Sequence, residues 1–329
     1  MRGILVLCTL LIAFLVGYNS TDVPLKSSPA STSSAIATSS TPEPSLLARS
    51  AAMSAHTTSA AVAKLYPALY LCHGGGPMPL LGDVDHAPMV AMWKEHVADI
   101  VSRYGVPKAI AVVSAHYQTT TPEIGGCPHP AMYYDYSGFP REAYSLQYPA
   151  PGNPELAARM VAQMQGSGLH ASLNPKRKFD HGVFVPLVVT FETASIPVIP
   201  VSVLRSDDPA EHIKIGQALR SFREQGVFFI GSGSTMHNFD LFNVPNAGKR
   251  FGDAITAVLQ DKSLSKEERL EKMKTIKSFD GFSDAQSPLD HEHLMPLLTL
   301  CGTADGAPGR EVASVSFFAA NVRHYIFEE

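Results

Sequence analysis

The sequence predicts an α/β fold: a three-layer sandwich whose central mixed sheet is largely buried, preceded by a disordered N-terminal segment. Three observations carry this reading. From Tyr66 onward, short apolar runs alternate with helical patterns, and the runs end in Gly, Pro or polar turns. Before that point the chain is too poor in large apolar side chains to build a core.

In chain order, Met1-Arg2-Gly3 leads an apolar run that ends near Val16. This pattern fits a secretory signal peptide or short signal anchor over residues 1–19. The run falls short of the roughly 20 apolar residues of a membrane span, so no membrane partner is expected for the domain that follows. Residues 20–63 read as a disordered Ser/Thr/Ala/Pro-rich linker with Asp22 and Glu43 as its acidic residues. The front end therefore suits the secretory route or, as a two-part sequence, an organelle. Residues 64–329 are left to form the folded domain.

Within that domain, residues 66–72, 109–114, 196–204, 227–230 and 312–318 read as strands. Met89, Trp93, Val97, Ile100, Val101 and Tyr104 recur at helical spacing, and Pro154 begins a second helix carrying Leu156, Met160 and Met164. Asp208-Pro209 opens a third, through Ile213, Leu219 and Phe222, by a cap followed by proline. Sheets of this kind present ligands from strand ends to a cleft.

Composition narrows the function. With a formal charge of -4 and no Lys/Arg-rich run, the chain has no field to attract phosphate backbones, so nucleic acid is not an expected partner. Cys8, Cys72, Cys127 and Cys301 are far apart and show no CxxC spacing, so neither a zinc ribbon nor a disulfide framework is suggested; Cys72 and Cys301 read as small buried hydrophobes. The chemistry is then sought among the 13 histidines.

Three of them share one context. His73 directly follows the strand 66–72, His116 follows 109–114, and His237 follows 227–230 through the small turn Gly231-Ser232-Gly233-Ser234. A single histidine is more readily a core or surface residue, but several neutral imidazoles at strand ends are how a rigid sheet builds an open metal site. Gly74-Gly75-Gly76 leaves room beside His73. Gly231 and Gly233 do not complete a phosphate-binding fingerprint. His86 and His96 suit surface or core-edge roles, His129 sits in a loop suited to a pocket mouth, and His170, His212 and His324 fall in polar, solvated contexts.

Seven motifs then carry a resemblance: Cys72-His73-Gly74-Gly75-Gly76-Pro77, Ser114-Ala115-His116-Tyr117, Tyr134-Asp135-Tyr136-Ser137-Gly138-Phe139-Pro140, Tyr148-Pro149-Ala150-Pro151-Gly152, Asp180-His181-Gly182, Gly231-Ser232-Gly233-Ser234-Thr235-Met236-His237-Asn238 and Glu292-His293-Leu294-Met295-Pro296-Leu297. Together they resemble the class III extradiol ring-cleavage dioxygenases, in the DOPA dioxygenase-like branch of the LigB-type superfamily. The resemblance implies that His73, His116 and His293 bind one divalent metal, Fe(II) or Zn(II). It also implies that His237 is the acid/base, that His181 contacts substrate, and that a catechol such as L-DOPA is opened with O₂. Under this reading, Tyr117 and Tyr136 are the substrate-binding rings, Tyr136 within the unusually aromatic stretch Tyr133 to Tyr148.

The chemistry asks for the same residue types. A catechol that binds through two oxygens, with O₂ beside it, leaves the protein one face of the metal and three ligands. Proton transfer needs a non-ligating group that titrates near neutrality, which suits His237. For the third ligand, Glu292 and His293 compete, because successive helical residues project about 100° apart and cannot ligate together if Pro296 lies in a first helical turn. The branch likeness selects His293, with Glu292 as its orienter or as the alternative ligand. His291 is a poorer choice: Ser287-Pro288-Leu289 stands where the family usually carries a His-Pro pair. Two other readings of the same residues are a non-catalytic metal-binding or interaction protein, as in the related Memo family, and a zinc-dependent hydrolase.

Overall fold

The computed structural model describes residues 65–329; the expected signal segment (1–19) and linker (20–63) lie outside the described residues. In chain order the elements are β1 (Ala68–Cys72), α1 (Ala87–Tyr104), β2 (Ala109–Thr119), β3 (Glu123–Gly125), α2 (Pro154–Gly166), β4 (Ser172–Asn174), α3 (His181–Thr190), β5 (Val198–Leu204) and α4 (Pro209–Leu219). They continue with α5 (Ser221–Glu224), β6 (Val227–Gly233), α6 (Lys249–Gln260), α7 (Lys266–Lys274), α8 (Phe282–Ala285), α9 (Met295–Thr303), β7 (Arg310–Phe317) and β8 (Ala320–Phe327).

The apolar runs pair into one eight-stranded sheet in the order β4-β3-β5-β2-β6-β1-β8-β7. The central strands β5, β2, β6 and β1 are parallel, while β3 pairs antiparallel with β5 and β8 with β1. The sheet is therefore mixed, as predicted. Every residue of β1, β5 and β6 is buried, because α1 and α3 pack together on one face and α4 and α9 on the other.

Local signals explain the helices. α1 buries Met89, Met92, Trp93, Val97 and Ile100 along one stripe and stops at Gly105, whose φ of 81° ends the helical path. Its Trp93 donates from Nε1 to the Cys72 carbonyl at 3.1 Å, satisfying the last peptide of β1. Asp208 caps α4 by accepting from the amides of Ala210 and Glu211. That helix ends at Leu219, and Phe222 falls in the separate turn α5. α9 is buried at all nine positions, with Pro296 in its first turn.

Three expectations are corrected. First, β2 continues to Thr119, and its register against β5 slips between Ser114 and Gln118, so His116 stands in a bulge inside the strand rather than after it. Second, Gly231-Ser232-Gly233 is not a turn; it completes β6, opposite Tyr70, Leu71 and Cys72 of β1. Third, His212 and His324 are fully buried rather than solvated. His212 accepts from the Leu204 amide at 2.8 Å through Nε2, with Nδ1 2.7 Å from the Asp208 carbonyl oxygen. His324 lies on β8, enclosed between β1 and β7, where burial pushes its imidazole down to about 3.

Candidate metal centre

β2, β6 and β1 are parallel neighbours, so their carboxyl ends open onto the same edge of the sheet. His73 follows β1 directly, its amide held by the Gly233 carbonyl at 3.3 Å. Its ring is fixed by a relay: Nδ1 donates to Ser232 Oγ at 2.9 Å, and that hydroxyl donates to the Gly182 carbonyl at 2.5 Å. Because Ser232 spends its proton on Gly182, the His73 proton sits on Nδ1 and Nε2 keeps its lone pair. His86 is buried and clamps the following loop, accepting from the Gly75 amide at 2.9 Å through Nε2.

His293 arrives from the other direction, just before α9. Its carbonyl accepts from Ser234 N at 2.8 Å and from Tyr70 Oη at 3.1 Å. A Cβ on Gly233 would lie 2.0 Å from that carbonyl oxygen, so only glycine lets the His293 backbone rest on β6. The Nδ1 of His293 lies 2.8 Å from Glu292 Oε1, which places the carboxylate behind the ring as an orienter.

The three Nε2 atoms converge: His116 Nε2 is 3.2 Å from that of His73 and 3.2 Å from that of His293. This spacing is roughly the edge of a coordination shell with metal–nitrogen distances of about 2.0–2.1 Å. Burial first, and then the other histidines, hold His73, His116 and His293 well below their ordinary range, so all three are neutral. With Nδ1 engaged on His73 and His293, lone pairs face one another without protons between them. A cation resolves that arrangement, so the residues fit a divalent metal. The group opens toward solvent on the His116 side, where 25% of the side chain is exposed.

Two further histidines stand around this group. His237 stacks on His293 with ring centroids 3.5 Å apart, its Nδ1 3.9 Å from Glu292 Oε1. Burial, and then the charge of His181, push it down to about 4. Its imidazole is thus held neutral at pH 7 in the metal-free chain. His181 behaves oppositely: burial disfavours its charge, but Asp135 outweighs this and its pKa is raised. Asp135 Oδ1 lies 2.9 Å from His181 Nδ1 and accepts from its amide at 3.0 Å, while Oδ2 is 3.5 Å from His116 Nδ1. Burial opposes the Asp135 charge too, but His181 and His116 hold the carboxylate far below its usual range. Glu292 is pushed up to about 7, chiefly by burial, with Asp290 and Asp207 adding to it.

The LigB profile, described as the catalytic LigB subunit of aromatic ring-opening dioxygenase, matches residues 68–326. The chain belongs to the LigB family. A dioxygenase, tasH, from Hapsidospora irregularis is 36% identical to this LigB chain over 254 residues, covering 73% of it and 78% of the relative. A 4,5-DOPA dioxygenase extradiol from Mirabilis jalapa is 31% identical, covering 78% and 93%. A crystal structure of an uncharacterised Escherichia coli K12 protein shares the fold, with a TM-score of 0.63 at 24% identity over 80% of this chain and 99% of that one.

This LigB chain does not use every expected residue alike. Tyr117 is engaged by other partners: its hydroxyl donates to Glu123 Oε2 at 2.8 Å, and its ring lies under the Arg177 guanidinium. Tyr136 does reach the site, its ring 5.9 Å from His181, but its hydroxyl is spent on the Ala143 carbonyl. It offers a ring rather than a hydrogen bond. Tyr134, Phe139 and Tyr144 each pack on its ring, and Tyr134 on Tyr144, so much of the aromatic region is its own core. Sequence reasoning assigned no role to Asp135, Ser232 or Tyr70. The Tyr134-Asp135-Tyr136 motif held the signal for Asp135, the one acid amid a run of aromatic residues.

Proposed function

We propose that this LigB protein is a metal-dependent extradiol dioxygenase that opens the ring of a catechol, DOPA-like in class, with O₂. The observation that carries the reading is the convergence of three Nε2 atoms with an open side flanked by His237 and by His181, the latter held on Asp135. His73, His116 and His293 would hold the metal. When bound, an ion such as Fe(II) supplies the Lewis-acid and redox centre that catechol and O₂ require.

The chain's own residues do the rest. His237 turns Nδ1 toward Glu292, leaving Nε2 to take a proton from a substrate hydroxyl and return it later. His181, whose positive charge Asp135 favours, can donate from Nε2 to oxygen that gains negative charge. The Tyr136 ring lies beside His181, where it can stack on an aromatic substrate.

The test is anaerobic reconstitution with Fe(II), followed by O₂ uptake across a catechol panel. Stoichiometric uptake with a yellow ring-fission product is expected, and neither appearing with any catechol sinks the proposal. Metal retention without turnover would favour the non-catalytic reading, and turnover with Zn(II) in the absence of O₂ the hydrolase.

A further inference from the structure

The segment that delivers Glu292 and His293 is exposed on approach: Pro288, Leu289 and Asp290 lie on the surface, with Leu289 76% exposed. Its next residue, His291, is tied down from a remote part of the chain. The His291 amide donates to Asp207 Oδ2 at 3.0 Å, 84 residues away in sequence. From that anchor the chain turns tightly into the site, with Leu294 N on the His291 carbonyl at 3.0 Å and Met295 N on the Glu292 carbonyl at 3.2 Å.

Asp207 is unusual in its own right. It lies just beyond β5, and its φ of 49° puts it in the left-handed region that non-glycine residues seldom adopt, Asp and Asn being the most tolerant. Its other oxygen, Oδ1, is buried without a hydrogen-bond partner among the described residues. A turn in this conformation with a half-satisfied carboxylate gains little locally. Its evident yield is the bond to His291.

We infer that Asp207 is a positioning residue, which sets how the Glu292–His293 segment meets the metal. The inference rests on the metal-dependent reading of the site and adds a residue from the loop between β5 and α4.

The experiment uses the full chain with Asp207→Asn, Asp207→Ala and Asp207→Gly. Glycine keeps the backbone conformation and removes the acceptor; asparagine keeps both. Co(II) titration followed by its visible absorption, and steady-state turnover of a catechol with Fe(II), are the readouts. Asp207→Gly and Asp207→Ala are expected to weaken Co(II) binding by about 10–100-fold and to alter its absorption band. Both should also lower kcat more than they raise KM. Asp207→Asn should return affinity to within about threefold of the wild type, since it restores the accepting oxygen. The inference is overturned by an Asp207→Gly protein that binds Co(II) as the wild type does, or by an Asp207→Asn protein as weak as Asp207→Gly. It is equally overturned if metal-free Asp207→Gly melts more than about 4 °C below the wild type, which would make the residue one of general stability. A wild type that binds no Co(II) instead sinks the metal reading itself.

Discussion

Replacing Gly233 by alanine should uncouple metal binding from folding. The added Cβ would stand 2.0 Å from the His293 carbonyl oxygen, 3.0 Å from its carbon and 3.3 Å from Pro296 Cγ. Non-bonded carbon and oxygen need more than 3 Å, so the His293 backbone must retreat by about 1 Å, and with it the hydrogen bonds from Ser234 and Tyr70. The Nε2 atoms that face one another at 3.2 Å then no longer converge. Sites of this kind tolerate errors of about 0.5 Å, and a misplacement near 1 Å costs on the order of 100-fold. Strain from overpacking adds about 1–3 kcal/mol to the cost of folding. The assay is calorimetric titration of the purified Gly233→Ala protein with Zn(II) or Co(II), with His293→Ala as the control that removes the ligand without crowding. A folded Gly233→Ala protein that binds one metal with wild-type affinity would falsify the account of His293 placement.

Three other substitutions probe the remaining groups. His237→Ala should leave metal content unchanged and lower kcat by about 10²–10⁴-fold, measured as O₂ uptake with a catechol. Asp135→Asn removes the counter-charge of His181, and the stability it forfeits has a defined pH window. Asp135 is depressed from 3.8, so its contribution is present above that value and lost as the carboxylate protonates below it. His181 is raised from 6.5, so its contribution is full below 6.5 and fades as pH rises through the raised value. The difference in melting temperature between metal-free wild type and Asp135→Asn should therefore peak between these two ordinary values and shrink in alkali. Glu292→Gln should act in two directions. Folding raises the Glu292 pKa from 4.5 to about 7, which destabilises the metal-free chain as pH climbs through that interval. By pH 8 the penalty is on the order of 3 kcal/mol, and glutamine removes it. The metal-free variant should melt higher than the wild type at pH 8, yet bind metal more weakly, since a neutral amide orients His293 with less force.

The sequence disclosed the site unevenly, for physical reasons. His73 and His293 were legible because each sits in a short motif beside an element whose signal is local: an apolar strand for one, a proline-started helix for the other. The bulge in β2 was not, since strand reading assumes strict alternation and the slip between Ser114 and Gln118 exists only against β5. That slip also bears on Tyr117, which alternation cannot place once the register is lost. The Tyr134-Asp135-Tyr136 motif marks Asp135 as an acid among aromatic residues, but not its role, because its partner His181 is 46 residues away. Gly231 and Gly233 read as a turn because glycine is punctuation in most contexts, whereas here α9 and the His293 carbonyl need the space. His324 was read as solvated from polar neighbours such as Arg323, although β8 is an interior strand of the sheet. The mixed sheet itself was predictable from the central runs, while the short edge strands β3 and β4 carry too few residues to register.

The placement of His293 on β6 also dates the site within the life of the chain. His116 and His293 are 177 residues apart, and the strand that flanks β1, β8, comes later still. During synthesis the first two imidazoles emerge long before the third, and a pair of histidines holds a divalent ion weakly. The full set of three would await the segment that carries His293 and α9, with β7 and β8 still to follow. A chain that stops before His293 would therefore offer two of the three imidazoles and leave the group incomplete.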